Sequence, residues 1–388
     1  MRRLIFSHPR PHATALTLGL LLTIGCYDNS GNSTQARPQS PPAPLENKPL
    51  LTEEQVQELT ALGYLGFTQE TVPADEKVVP VYDPELSAPG YNLVILRELA
   101  TVQLFDAQGN VVHSWKPPGI LLFSNAEMLE NGNLLVSGAA TEKSNGHLLL
   151  LSWDGKVLFR KRILSHHDSD WMPNGKIAAL TKSFRLVPWV SETQKIRDNG
   201  IAILDRDGNL LEQKSLTSLM ESNSDEFTFQ RLPRMDNKGD AVRWGVDLLH
   251  ANSVEFMKYP ELAAQDPLYS ADNLLVSIRH QDTVAVIDWE AQKLIWAWGQ
   301  NELSGQHDAQ QLENGNFLIF DNGLKRQSSR VIELNPISRK IVWQFPADGE
   351  NTFFSIANGS SQRLANGNTL FANSDHGEAF EVTPDGET

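Results

Sequence analysis

Gly305-Gln306-His307-Asp308-Ala309-Gln310-Gln311-Leu312-Glu313-Asn314-Gly315-Asn316-Phe317-Leu318-Ile319 sets a histidine seven positions ahead of an Asn-Gly pair that joins two apolar runs. Asn-Gly between apolar stretches is a strong short-range hairpin signal, because a type I′ turn requires φ > 0 at both central residues. The layout returns at His167-Asp168-Ser169-Asp170-Trp171-Met172-Pro173-Asn174-Gly175-Lys176-Ile177, with the same seven-residue spacing. Each histidine is therefore expected at the start of a strand that leads into a hairpin, at one structural position in two repeats.

The turn recurs at Asn131-Gly132-Asn133 and Asn366-Gly367-Asn368, with Ala271-Asp272-Asn273 and Gly90-Tyr91-Asn92 as degenerate copies. A second, Asp- or Asn-led turn follows each at Asp106 to Gly109, Asp154-Gly155, Asp207-Gly208, Asp288 to Gln292, Asn335 to Arg339 and Asp385-Gly386. Successive second turns lie 48 (106 to 154), 47 (288 to 335) and 50 (335 to 385) residues apart. That period is the length of a four-stranded propeller blade, about 40 to 50 residues. After the second turn Val111, Val157, Leu294 and Ile341 coincide, as do His113, Phe159, Trp296 and Trp343. The fold read from these marks is all-β, a six-bladed β-propeller over residues 77–388. The long gap between Asp207 and Asp288 holds an insertion near 213–245, expected as a partly helical flap. The last blade ends without a fourth strand, and the β-prone run Lys77 to Tyr82 is expected to close the ring against it, removing an exposed edge.

The N-terminal part reads differently. Arg2, Arg3 and Arg10 precede an apolar run from Ala13 to Ile24 that ends at Gly25-Cys26, which holds the chain's single cysteine. This is a targeting segment, and Leu22-Thr23-Ile24-Gly25-Cys26 resembles a bacterial lipobox. Residues 1–26 are expected to be a lipoprotein-type signal peptide and Cys26 the lipid attachment point of an exported, envelope-bound protein. Residues 27–50 form a Pro-rich tether, and residues 51–76 hold one short helix opened by the capping box Thr52-Glu53-Glu54-Gln55. A formal net charge of −15 argues against nucleic acid or an anionic membrane surface as partner.

In a propeller the first strand of each blade lines the central channel, so residues at its start converge. His167, His250 and His307 fall there in three neighbouring blades. Arg279 ends the strand that returns to the face His250 occupies. Three imidazoles and a guanidinium suit a compact oxyanion. Asp168 and Asp308 are expected to bond backbone amides, and His113, His147, His166, His280 and His376 to be structural.

His166-His167-Asp168, Leu249-His250-Ala251-Asn252-Ser253, Ser277-Ile278-Arg279-His280-Gln281-Asp282, and His307-Asp308-Ala309-Gln310 with Asp321-Asn322-Gly323 together resemble the bacterial arylsulfotransferase family over roughly residues 90–388. The resemblance implies transfer of a sulfuryl group from an aryl sulfate ester to a phenolic acceptor, with no nucleotide sulfate and no cofactor. It implies that His307 is the nucleophile forming a transient sulfohistidine. His250 and Arg279 would stabilise the sulfuryl oxygens, and His167 would be the proton-transfer partner of the phenolic oxygens. The chemistry agrees, since a neutral imidazole is nucleophilic near pH 7 and is also a competent leaving group. The disulfide and separate N-terminal β-domain of better known members are absent here. Trp171, Trp189 and Trp244 lie near the expected opening, where they serve either packing or stacking on an aryl group, whereas Trp296 and Trp343 are blade packing. Two other classes fit the residues alone: a metal site on the three histidines, and a lipid-tethered propeller that binds a ligand without chemistry.

Overall fold

The computed structural model describes residues 2–6, 78–140, 146–172, 174–223, 227–230, 246–346 and 352–388. The expected tether, the helix over 51–76, Cys26 and Trp244 lie outside them. Six sheets succeed one another around the ring, built of antiparallel neighbours except where β1 joins β2 and β13 joins β11 in parallel, and they form a six-bladed β-propeller. Blade one holds β1 (Arg2–Phe6), β2 (Asn92–Leu96), β3 (Thr101–Phe105) and β4 (Val111–Trp115); blade two holds β5 (Ile120–Met128), β6 (Leu134–Ala140), β7 (Gly146–Leu151) and β8 (Val157–Arg162). Blade three holds β9 (Ser165–Trp171), β10 (Ile177–Val187), β11 (Ser191–Leu204) and β12 (Leu210–Ser215), with β13 (Val246–Asp247) paired to β11. Blade four runs through β14 (Ala251–Phe256), β15 (Asn273–Ile278), β16 (Thr283–Asp288) and β17 (Lys293–Trp298). Blade five runs through β18 (His307–Gln311), β19 (Phe317–Asp321), β20 (Arg330–Asn335) and β21 (Lys340–Phe345), and blade six has three strands, β22 (Ser360–Arg363), β23 (Thr369–Asn373) and β24 (Glu378–Val382).

The second strands read as unbroken apolar runs because both faces are buried, one against each neighbouring blade. In β19, Phe317 and Ile319 pack toward blade four and Leu318 and Phe320 toward blade six. In β15, Leu274 and Val276 face blade three while Leu275 faces blade five. Every junction around the ring carries its own apolar cluster, the last formed by Val94 of blade one with Leu364, Leu370 and Ala372 of blade six.

Each Asn-Gly turn takes a different form from the one its sequence suggests. Gly132, Gly175, Gly315 and Gly367 have positive φ, but the preceding asparagines do not. Each glycine N–H instead closes a turn on the carbonyl three residues back, at Leu129, Met172, Leu312 and Leu364, so these are type I turns with a glycine bulge. The asparagine side chain accepts the N–H two residues on, as in Asn314 to Asn316 at 3.0 Å.

The closing strand expected over 77–82 is not formed. Residues 78–82 are bend and coil, with Val78 and Val79 beside Gly109 of the blade-one turn. What ties blade one to blade six is the cluster around Val94 and the segment just beyond, where the Ala88 amide donates to Glu381 (2.6 Å) and Asn368 donates to the Leu86 carbonyl (2.8 Å). Among the described residues β24 keeps an unpaired outer edge, and Val78 and Val79 pack instead beside the blade-one turn. Strand β1 pairs in parallel with β2, on the axial side of blade one.

The axial strands are bound to one another by side chains. Asp168 accepts the Val254 amide (3.0 Å), Ser253 the Ala309 amide (3.1 Å) and Asp308 the Ser361 amide (2.7 Å). A second tier repeats the device, with Glu127 on the Trp171 amide, Asp170 on the Phe256 amide and Glu255 on the Gln311 amide. The backbone-bonding role expected of Asp168 and Asp308 is therefore observed, and amides of the inner strands of blades three to six are bonded by the blade before them. The insertion contributes α1 (Leu216–Glu221), capped by Ser215, on the flank of blade three.

Candidate active site

The site lies where the inner strands of blades three to five begin. Met172, Met257 and Leu312 each donate their N–H to close the first hairpin of their blade. Counting back five residues from each gives His167, Asn252 and His307. His250 stands two residues before the equivalent position, just ahead of β14, and Asn252 in its place donates to the Gln306 carbonyl at 2.8 Å. The backbone of His250 is left-handed (φ 48°), as is that of His167 (φ 55°) and of Asp308 (φ 48°). Non-glycine residues in this region are strained by about 1 to 3 kcal/mol each and concentrate where function demands them.

His307 is 7% exposed, and its Nδ1 lies 2.7 Å from Asn322 Oδ1. The amide of Asn322 is oriented by its other end, which donates to the carbonyls of Ser355 (2.7 Å) and Asn358 (2.8 Å). Its oxygen must then accept, so His307 carries its hydrogen on Nδ1 and presents the Nε2 lone pair. Burial, reinforced by the charge of Arg279, holds the His307 pKa well below the usual value, so Nε2 stays unprotonated at neutral pH.

The His250 ring packs at a tilt against those of His167 (centroids 4.9 Å) and His280 (4.6 Å). Its Nδ1 donates to Asp247 Oδ2 at 2.7 Å, and its backbone N–H donates to Asp247 Oδ1 at 3.1 Å. Arg197 also donates to Asp247, at 2.8 Å. Burial lowers the His250 pKa to about 4 even though Asp247 pulls the other way. His167 is held well below the usual value, first by burial and then by the charges of His250, His166, His307 and Arg97. Resting His167 is thus unprotonated and able to accept a proton from a phenolic oxygen. His166, which faces away, sits 3.0 Å from the Thr181 carbonyl, and burial lowers its pKa to about 3.

Arg279 follows β15 directly, and its amide donates to the His250 carbonyl at 3.3 Å, so the hairpin returns it to His250 as expected. Its Nη1 donates to His280 Nε2 at 3.2 Å, and Nη2 to the Ile356 carbonyl at 3.5 Å, while its buried Nε has no hydrogen-bond partner among the described residues. The Nδ1 of His280 in turn donates to the Asp247 carbonyl at 2.7 Å. His280, expected to be merely structural, therefore positions the guanidinium.

Asp247, His250 and His280 bring three ligand atoms within 4.8 Å of one another, a different trio from the one considered in the sequence. Arg197 and Arg279 already donate to two of the three, and two guanidinium charges there disfavour a divalent cation. The set instead suits an anion, received between a lone pair and a guanidinium. Trp171 belongs to the apolar junction of blades two and three, so it packs and does not stack on a ligand. Trp189, 54% exposed, lies at the tip of the β10–β11 hairpin against Phe229 (4.9 Å).

Compared with known proteins, residues 125–388 match the family described as Arylsulfotransferase (ASST). No curated protein matches. Among solved structures, the chain is similar to a protein of unknown function from Bacteroides caccae, with 14% identity, 77% of this chain and 92% of that one covered, and a TM-score of 0.51. It is also similar to virginiamycin B lyase from Staphylococcus aureus, with 11% identity, coverage of 75% and 76%, and a TM-score of 0.44.

Proposed function

Because the chain belongs to the arylsulfotransferase family, we propose that it moves a sulfuryl group from an aryl sulfate ester to a phenol in two half-reactions through His307. In the first, His307 Nε2 attacks sulfur, the bond from sulfur to the aryl oxygen breaks, and that oxygen leaves with the electron pair as a phenolate. In the second, the acceptor phenol attacks the sulfuryl-imidazole, the N–S pair returns to Nε2, and the acceptor's proton passes to His167. Arg279 holds the sulfuryl oxygens by charge-assisted hydrogen bonds. His250 joins it once the bound anion raises its pKa, and Asp247 stabilises the resulting imidazolium.

The observation that carries this reading is the His307–Asn322 bond of 2.7 Å, which leaves an unprotonated Nε2 on an imidazole that feels the charge of Arg279. The test is incubation with nitrophenyl sulfate alone. Intact mass should rise by one sulfuryl group in the wild type and stay unchanged in His307→Asn, and phenol should then discharge the adduct. Release driven by water and indifferent to phenol would overturn the transfer reading.

The same proposal places the protein outside the cytoplasm, tethered by a lipid on Cys26. Cleavage before Cys26 would carry off β1 and leave blade one with β2 to β4, three strands as in blade six.

A further inference from the structure

Arg279 has a counterpart. It opens a 3-10 turn (Arg279–Gln281) between the second and third strands of blade four, followed by a left-handed Asp282 (φ 47°) and then Thr283 at the start of β16. Arg97 opens the same turn (Arg97–Leu99) in blade one, followed by a left-handed Ala100 (φ 46°) and then Thr101 at the start of β3. Blades one and four face each other across a six-membered ring, so the two guanidiniums reach the 356–358 segment from opposite sides. Arg97 is 3% exposed, and its Nη1 donates to Asn358 Oδ1 at 2.5 Å. The carbonyl of that same Asn358 holds Asn322, which orients His307, and the Ile356 carbonyl two residues earlier receives Arg279. One short segment, 355–358, therefore fixes both arginines and the support of the nucleophile.

The two charges fall on different histidines. Arg279 acts on His307 and His250, and Arg97 acts on His167. With the imidazoles of the resting site neutral, the phenolate set free in the first half-reaction meets no acid at His167 and needs a fixed positive charge on that side.

We propose that Arg97 is a second catalytic cation, placed to stabilise the negative charge that develops on the phenolic oxygen while Arg279 serves the sulfuryl oxygens. This rests on the transfer reading above and goes beyond it, since Arg97 precedes the residues matched to the family. As the sulfur–oxygen bond breaks, the electron pair stays on the aryl oxygen beside Arg97. In the second half-reaction the same charge favours the acceptor oxygen as its proton moves to His167.

The test uses the full chain and a series of donors from nitrophenyl to unsubstituted phenyl sulfate, with saturating phenolic acceptor and kcat/KM read for each. Removing the charge in Arg97→Gln should cost less than about tenfold on nitrophenyl sulfate and about 10²-fold or more on phenyl sulfate, because the poorer leaving group concentrates more charge on oxygen. Arg97→Lys should fall between Arg97→Gln and the wild type in this leaving-group dependence. An equal loss on every donor would mean Arg97 only braces Asn358 and would overturn the assignment. Should Arg97→Gln fail to fold, Arg97→Lys decides alone by the same criterion: a loss that grows with leaving-group basicity supports it, and a uniform one overturns it. Wild-type protein without any acceptor-dependent transfer would remove the transfer reading and this assignment together, whereas wild-type transfer with a uniform loss removes only this assignment.

Discussion

The side-chain oxygen of Asn322 sits 2.7 Å from Nδ1 of His307 while its nitrogen is held by two backbone carbonyls, so one neutral amide sets the tautomer of the candidate nucleophile. A carboxylate in that place would raise the histidine's pKa and leave it protonated more of the time; an amide orients the ring without doing so.

Asn322→Asp should therefore introduce an acid limb in the pH profile of kcat/KM, with activity falling as pH drops at values where the wild type is flat. Asn322→Ala should lower kcat/KM by about 10- to 100-fold through the lost orientation, with no new limb. Profiles from pH 5 to 9 separate the two.

Asp247 supports His250 through both a ring and a backbone bond. In Asp247→Asn the imidazolium that receives the donor loses its counter-charge. Donor KM should rise about tenfold or more and rise further with increasing pH, as protonation of His250 becomes harder. Initial rates across donor concentration at two pH values check this.

Buried neutral histidines also make the fold acid-sensitive. Unfolded histidine takes its proton near pH 6.5, whereas folded His250 does so only at about 4 and His166 at about 3. Below pH 6.5 the unfolded chain binds more protons than the folded one. The contribution of these residues to stability is thus complete above pH 6.5 and is lost as pH falls toward 4, by up to about 1.4 kcal/mol per pH unit for each. The urea midpoint should be steady from pH 8 to 7 and decline from 6.5 to 5, less so in His166→Asn if that variant folds.

Asp168 answers the Val254 amide and also receives Asn125, one blade on either side. Asp168→Ala leaves the buried Val254 amide without its partner and Asn125 with only the Ser169 carbonyl, and should destabilise by about 2 to 4 kcal/mol, read as a lower denaturant midpoint. Because His167 is its chain neighbour, transfer activity should fall as well.

The blade count was legible because turn chemistry is local. Asn-Gly and Asp-Gly pairs mark all the hairpins they were expected to mark, even where the turn type differs. Arg2–Phe6 carries no such local mark, and its parallel pairing depends on a partner far along the chain. Within the site, the seven-residue spacing put His167 and His307 in register, and the returning hairpin placed Arg279. Asp247 and His280 were missed because they lie on a two-residue strand beyond the insertion and on a 3-10 turn after β15, neither of which carries a periodicity of its own. Arg97 was within reach: Arg97-Glu98-Leu99-Ala100-Thr101-Val102 lines up with Arg279-His280-Gln281-Asp282-Thr283-Val284 once blade one is laid on blade four.

The acidic and hydroxyl side chains that seize the amides of the following inner strand make each reacting histidine a tenant of two sheets. The chain just after His307 is anchored by Ser253 of blade four, and that just after His250 by Asp168 of blade three. The spacing among these groups is consequently a property of neighbouring blades held together, so a fragment of one blade could refold its own sheet and still hold no reaction centre.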